Sequence, residues 1–383
     1  MTSDSLPHAA IMSVATAFPN HDADLDYATS AAAAISCENE TQARKLGKLY
    51  RRTGVQRRGS VLLDRDADGQ LSQSFYPPLT QEAGNPTMQT RNERFAIEAP
   101  RLASQASSKA LAEGSIKSEE ITHIVTVTCT GFYAPGLDVA LIKQLNLPAT
   151  TQRLALGFMG CHGLINGVRA AEGLLAANPD ASVLIASVEL CSLHYQYGYD
   201  PQSIVSGSIF ADGAASMVLS GPANEPSTGF PPSMAVLATG SCLLADSEDA
   251  MTWRIGDHGF RMTLDAAVPG LIESNLADFL LPWLAKYGHD LDSIGGWAVH
   301  PGGIRILQAV ATALNLPEDA LAISRDVLRR HGNMSSATLG VVLQDFAHAS
   351  VPDPWLMLGF GPGLEIEVAL IGHPHKSHTA KPR

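Results

Sequence analysis

The sequence predicts an α/β protein built on a mixed sheet, and three observations carry that expectation. Short β-branched-rich runs recur along the chain, apolar on both faces as the central strands of a covered sheet must be. Amphipathic stretches of helical length separate them. Hydrophobic residues make up 45% of the 383 residues and charged ones only 17%, which supplies a large core and argues against disorder.

In chain order, the N-terminal part is mixed. An Ala-rich piece, Tyr27–Ile35, reads as helix, and the basic piece Arg44–Arg58 follows it. A helix over Ala96–Glu113 leads to a strand over Ile121–Cys129; a helix over His162–Ala177 precedes strands over Ser182–Leu190 and Ala214–Leu219. Gly, Pro, Asn, Ser and Thr cluster over Gly221–Met234 and end every periodic pattern, which divides the chain into 1–228 and 229–383. The second part reads as helix Pro269–Lys286, strand Gly296–His300, helices Ile304–Leu314 and Thr338–Phe346, then strands Trp355–Phe360 and Leu364–Ile371. Both parts repeat an apolar strand, a Gly-rich or polar turn and another apolar strand, a similarity too weak to establish duplication. The polar tail His373–Arg383 reads as frayed.

A formal net charge of −12 repels phosphate backbones, so nucleic acid is not an expected partner. No run approaches the ~18 apolar residues of a membrane helix, and Met1–Ala10 lacks a basic segment followed by an apolar one. The expectation is a soluble cytoplasmic protein with no integral membrane contact. The five cysteines, Cys37, Cys129, Cys161, Cys191 and Cys242, are scattered and never spaced Cys-x-x-Cys, so neither a disulfide framework nor a zinc site is expected. One of them as a nucleophile is the remaining option.

Cys161 lies in Gly157-Phe158-Met159-Gly160-Cys161-His162-Gly163, just ahead of an amphipathic helix. Unpaired amides and the dipole at a helix N-terminus favour a thiolate, and the glycines allow a strained turn that a substrate can approach closely. Position alone fits a buried, inert thiol equally well. His300 ends an apolar strand at Pro301-Gly302-Gly303, which aims its imidazole off the strand's carboxyl end, where α/β proteins bind ligands. A structural histidine would occupy the same place. Asn333, in His331-Gly332-Asn333-Met334-Ser335-Ser336-Ala337, is either an N-cap or a site residue. Three such turns can converge in space although they are distant in sequence.

Together, Gly160-Cys161, Trp297-Ala298-Val299-His300-Pro301-Gly302-Gly303, Gly332-Asn333-Met334-Ser335-Ser336-Ala337 and Gly359-Phe360-Gly361-Pro362-Gly363 closely resemble the type III polyketide synthases of the chalcone synthase superfamily. The resemblance runs from about Ala10 to Ile371. It implies a thiolase-like fold, a duplicated αβαβα architecture of five layers, and a homodimer that extends an acyl-CoA starter with malonyl-CoA. No metal and no cofactor beyond these coenzyme A thioesters is implied. Cys161 would carry the starter and the growing chain. His300 would be its base or ion-pair partner and, with Asn333, would donate to the malonyl thioester oxygen that becomes an enolate. Phe210 would be the gatekeeper that keeps water from the departing carboxylate.

The same resemblance places Cys129, Thr130, Cys191, His194, Trp253, Met262, Ser335 and the loop Gly361, Pro362, Gly363 around the substrate. Plant chalcone synthases mostly carry threonines where Cys129, Cys191 and His194 stand, a glycine at Trp253 and a phenylalanine at Met262. These departures, with Asp246-Ser247 and Met251-x-Trp253, are more similar to bacterial and fungal enzymes that make alkylpyrones or alkylresorcinols from medium- or long-chain acyl starters. Lys48, Arg52 and Arg57 would hold coenzyme A phosphates, and Ala134 replaces a methionine that reaches into the partner's cavity in plant members. A thiolase is disfavoured because the last cysteine is Cys242. A ketoacyl synthase III-like enzyme making one condensation onto acyl carrier protein, and a non-catalytic acyl-CoA-binding scaffold, are the rival readings.

Overall fold

The computed structural model describes residues 9–79, 84–221, 230–231 and 234–374. Nine strands form its main sheet, in the order Gly296–Val299, Trp355–Gly361, Glu365–Gly372, Ala235–Leu243, Ala9–Ala17, Asp212–Ser220, Ser182–Leu190, His123–Thr128 and Gln152–Gly157. The pairing pattern is repeated. In the first half, Ala9–Ala17 pairs antiparallel with the last strand, Asp212–Ser220, which pairs antiparallel with Ser182–Leu190, itself parallel to His123–Thr128. In the second, Ala235–Leu243 pairs antiparallel with Glu365–Gly372, which pairs antiparallel with Trp355–Gly361, itself parallel to Gly296–Val299. The two first strands join the halves through Ala9↔Val236 and Ala10↔Ala235. The repeat hidden in the residues is therefore plain in the topology.

Helices cover both faces and fill the middle, because strands this apolar must be buried on each side. Helices Gly163–Ala177 and Thr338–His348 lie between the two half-sheets, where Leu164, Ile165, Val168, Leu339 and Val342 meet Val127, Ile185, Met217, Met357 and Ala369. Met88–Glu113 and Leu137–Gln144 cover the outer face of the first half through Phe95, Leu102 and Leu141. Val268–Lys286 and Ile304–Ala313 cover that of the second through Ile272, Leu276 and Val310. The result is the thiolase-like αβαβα stack of five layers. No helix among the described residues is long and apolar enough to cross a membrane.

Predicted strands and helices stand close to their expected positions, with informative exceptions. The helix expected at Ala96 begins at Met88, where the Thr87 hydroxyl accepts the Thr90 amide and a polar first turn conceals the periodicity. The basic piece splits into helix Glu40–Arg52 and a short strand, Arg57–Gly59, paired with Asp22–Asp24. Strand Gln152–Gly157 escapes the hydrophobic pattern because it is the exposed edge of the sheet. Ala9–Ala17 is alanine-rich and lacks the β-branched signature. The 228/229 boundary and most of the His373–Arg383 tail lie outside the described residues.

Candidate active site

The turn that carries Cys161 is conformationally demanding. Phe158 has φ 59° and Gly160 φ 81°, and a Cβ on Gly160 would overlap Pro362 Cδ. Only glycine fits there, as the motif foretold. Helix Gly163–Ala177 begins two residues after the thiol, and a Cβ on Gly163 would lie 2.8 Å from Val127 Cγ1, so the helix start is seated directly on the sheet.

Cys161 is half-buried and faces a cavity with a largely apolar lining. Ten of the residues named from the sequence line it: Cys129, Thr130, Cys161, Cys191, His194, Phe210, Trp253, Met262, Ser335 and Pro362. His300, Asn333, Gly361 and Gly363 do not. Gly361 packs beneath the His162 ring, and Gly363, at φ 85°, closes a turn whose amide donates to Met251 O at 3.2 Å. These two glycines shape the loop that presents Pro362 and are corrected from wall to support.

Asn333 is brought to Cys161 by strand-like bonds to the gatekeeper segment. Its amide donates to Ile209 O (2.8 Å) and its carbonyl accepts from Ala211 N (2.9 Å), so Phe210 and Asn333 lie side by side. The Asn333 Oδ1 accepts the Ser335 amide at 2.8 Å, which fixes the carboxamide, and both the Asn333 and Ser335 side chains lie near enough to the Cys161 thiol to favour its ionised form. Asn333 is therefore no N-cap. His300 ends its strand fully buried, its amide donating to Leu358 O at 2.7 Å. Neither of its ring nitrogens has a protein partner among the described residues. It lies within electrostatic reach of His162, the residue after Cys161.

Electrostatics differ from the expectation of a resting thiolate. Burial pushes the Cys161 thiol up to about 12, the nearby side chains of Ser335 and Asn333 oppose the rise, and the carboxylate of Glu189 adds to it. Burial pushes His300 down to about 3, aided by His162. Burial thus disfavours charge on each group. Cys129 and Cys191 are likewise raised well above an ordinary thiol by burial.

The cavity walls are pinned by bonds that sequence reading did not supply. His194 Nε2 donates to Thr130 O (2.7 Å), its Nδ1 accepts the Phe260 amide (3.1 Å), and its ring stacks on Phe260. Burial holds it down to about 3, which keeps this tautomer neutral. Trp253 Nε1 donates to Cys129 O at 2.7 Å, tying the hairpin Met251–Gly256/Gly259–Leu264 across the cavity, with Met262 opposite Trp253.

Glu189 was missed. It accepts from Cys129 N (2.9 Å), Thr130 Oγ1 (2.8 Å) and the Ser336 hydroxyl, while burial raises its carboxyl to about 7. Its signal was a lone acid in the otherwise apolar strand Ser182–Leu190. Also unforeseen is the network behind the nucleophile, in which His162 Nδ1 donates to Asn166 Oδ1 (2.7 Å), Asn166 Nδ2 donates to Glu367 Oε1 (2.9 Å), and Arg169 grips Glu367 with both terminal nitrogens.

Lys48 and Arg52 project into solvent one helical turn apart. Past that helix, a Cβ on Gly54 would lie 2.7 Å from Ile304 Cδ1, so the basic helix ends against the loop after His300. Arg57 is instead paired with Asp22 at 3.0 Å.

Residues 2–222 match the N-terminal domain of chalcone and stilbene synthases, and residues 236–373 match their C-terminal domain. The chain is 33% identical over 366 residues to a 1,3,6,8-tetrahydroxynaphthalene synthase of Streptomyces peucetius subsp. caesius, covering 94% of this chain and 92% of that one. It is 33% identical over 285 residues to an alpha-pyrone synthesis polyketide synthase-like protein of Mycobacterium tuberculosis, covering 73% and 72%. Among solved structures, PKS-I from the brown alga Ectocarpus siliculosus superposes with a TM-score of 0.88 at 28% identity, over 97% of this chain and 100% of that one.

Proposed function

Because this chain belongs to the chalcone and stilbene synthase family of type III polyketide synthases, we propose that it extends a medium- or long-chain acyl-CoA starter with malonyl-CoA and cyclises the product to a pyrone or a phenolic ring. The observation that carries the choice of starter is a second cavity next to the first. It shares Tyr195, Gln196, Ser203 and Gly207 with the Cys161 cavity, and Ala28, Ala31, Ala32, Ile35, Leu46 and Ile204 make its wall largely apolar. Each methylene buried there contributes about 0.8 kcal/mol.

In this reading Cys161 Sγ attacks the starter thioester while His300 takes the thiol proton, and the proton leaves on coenzyme A as the free thiol. The neutral imidazole so restored then acts as a hydrogen-bond donor. Malonyl-CoA loses CO₂, the electron pair of the broken C–C bond moves to the thioester oxygen, and Asn333 and His300 donate to that oxygen. Phe210, 9% exposed, shields the reacting carboxylate from water. The enolate carbon attacks the Cys161 thioester, freeing the thiolate for the next round. Lys48 and Arg52 would meet the coenzyme A phosphates, whereas Arg57 is engaged by Asp22.

Incubating the protein with malonyl-CoA and starters from acetyl- to palmitoyl-CoA, and reading product masses, tests this. Cyclic tri- or tetraketides from octanoyl-CoA and longer starters, without carrier protein, are expected. A single β-ketoacyl product, or turnover confined to acetyl-CoA, counts against it.

A further inference from the structure

The second chamber contains a buried cation. Arg58 is 3% exposed and lines the wall of that chamber. Its Nη1 donates to Gly207 O at 2.9 Å, and Gly207 lines both cavities, so the guanidinium stands where the two adjoin. The Tyr50 ring lies 5.2 Å from its central carbon. The remaining edge of the guanidinium is different. Nε and Nη2 are buried and have no hydrogen-bond partner among the described residues. Asp212, the nearest buried acid in that region, is already taken up by Val61 N (2.8 Å), Ser192 N (2.8 Å) and Ser192 Oγ (2.6 Å). The Tyr195 phenol, on the shared wall, lies close enough to Arg58 to feel its charge.

Nε–H and Nη2–H project from one edge of a planar group, with the spacing of the two oxygens of a carboxylate. Two buried charged donors left without an acceptor are costly, and their bond to an anionic fork would be correspondingly favourable. Resting on the synthase reading above, we propose that Arg58 anchors the far end of the acyl group, and that the chamber takes starters carrying a terminal carboxylate, ω-carboxyacyl-CoA thioesters, in preference to plain fatty acyl-CoA of equal length. The apolar wall holds the methylenes, and the arginine fork reads the terminus.

The test pairs suberyl-CoA with octanoyl-CoA and sebacyl-CoA with decanoyl-CoA in competition for Cys161, reading acyl-enzyme by intact mass and product by kcat/KM. The wild-type protein is expected to prefer the carboxylated member of at least one pair by about tenfold or more, the scale of a charge-assisted hydrogen-bond pair. Arg58→Lys keeps the charge but loses the fork, and should bring the ratio within about threefold of unity. The readout is a ratio on one protein, so a general loss of activity cancels. Should Arg58→Lys fail to fold, Ala32→Phe, which fills the chamber, is expected to abolish the same preference. A wild-type protein that loads both members equally, or a preference that survives both substitutions, overturns the anchor and leaves the synthase reading standing. Absence of any malonyl-dependent product overturns that reading, and the anchor with it.

Discussion

Cys161 and His300, the two residues proposed above to act together, show how burial can oppose charge on a thiol and on an imidazole alike. A thiol pushed up to about 12 is protonated across the neutral range, and an imidazole pushed down to about 3 is neutral there. Alkylation of Cys161 by iodoacetamide follows the thiolate fraction, so its rate should climb roughly tenfold per pH unit from about pH 6 to pH 9. Replacing His300 by Ala should leave that slope in place. A plateau reached below about pH 8 in the wild-type protein, lost in His300→Ala, would instead show a resting ion pair. The same variant should lose about 10²–10³ in malonyl-CoA decarboxylation, because it removes one of two enolate donors. The residues of this pair were legible in the sequence because each sits in a short motif of glycines and prolines that dictates its backbone. Their protonation was not, since it depends on Glu189, Ser335 and the depth of burial, which come from distant parts of the chain.

The elements that hold the site are fixed by close approach more than by propensity. Helix Thr338–His348 follows the Asn333 loop and lies on strand Asp212–Ser220, which follows Phe210. They meet at Gly340, where a Cβ would overlap Ala215 Cβ. Gly340→Ala removes helix-weakening glycine, worth about 0.5–1 kcal/mol in its favour, yet overpacks a central layer at a cost of typically about 1–3 kcal/mol. Net destabilisation is therefore expected, seen as a lowered denaturant midpoint; a midpoint at or above wild type would show that the layer can part there without loss. Strongly apolar strands such as Ser182–Leu190 announced themselves, whereas the Met251–Gly256/Gly259–Leu264 hairpin did not. Its function is to carry Trp253 to Cys129 O, and a half-exposed ribbon holds no periodic signature of that bond. Trp253→Ala should open the cavity and shift product masses from one starter towards additional malonyl extensions; an unchanged product distribution would remove Trp253 from control of chain length.

At the scale of the whole molecule, the main sheet ends on one side in the strand Gln152–Gly157, whose backbone is unpaired on its outer edge. Leu154 on that edge is 39% exposed, and Phe132 and Phe158 nearby are 50% and 38% exposed. A long edge strand flanked by bare aromatic rings is a template for pairing unless it is covered. A second copy of the chain is the cover proposed here, in keeping with the homodimer that the sequence motifs imply. The arrangement ties assembly to chemistry, since Phe132 stacks on Phe260, and Phe260 lines the Cys161 cavity and stacks on His194. Losing the partner would expose Phe132 and loosen the ring on which the cavity wall rests. Leu154→Asp places a charge on the edge without touching the cavity, so the protein should change from dimer to monomer by light scattering, and its polyketide output should fall with the dimer fraction. Output that stays constant while the mass halves would separate the two, and a wild-type protein that is monomeric at micromolar concentration would leave the edge to be covered by something else.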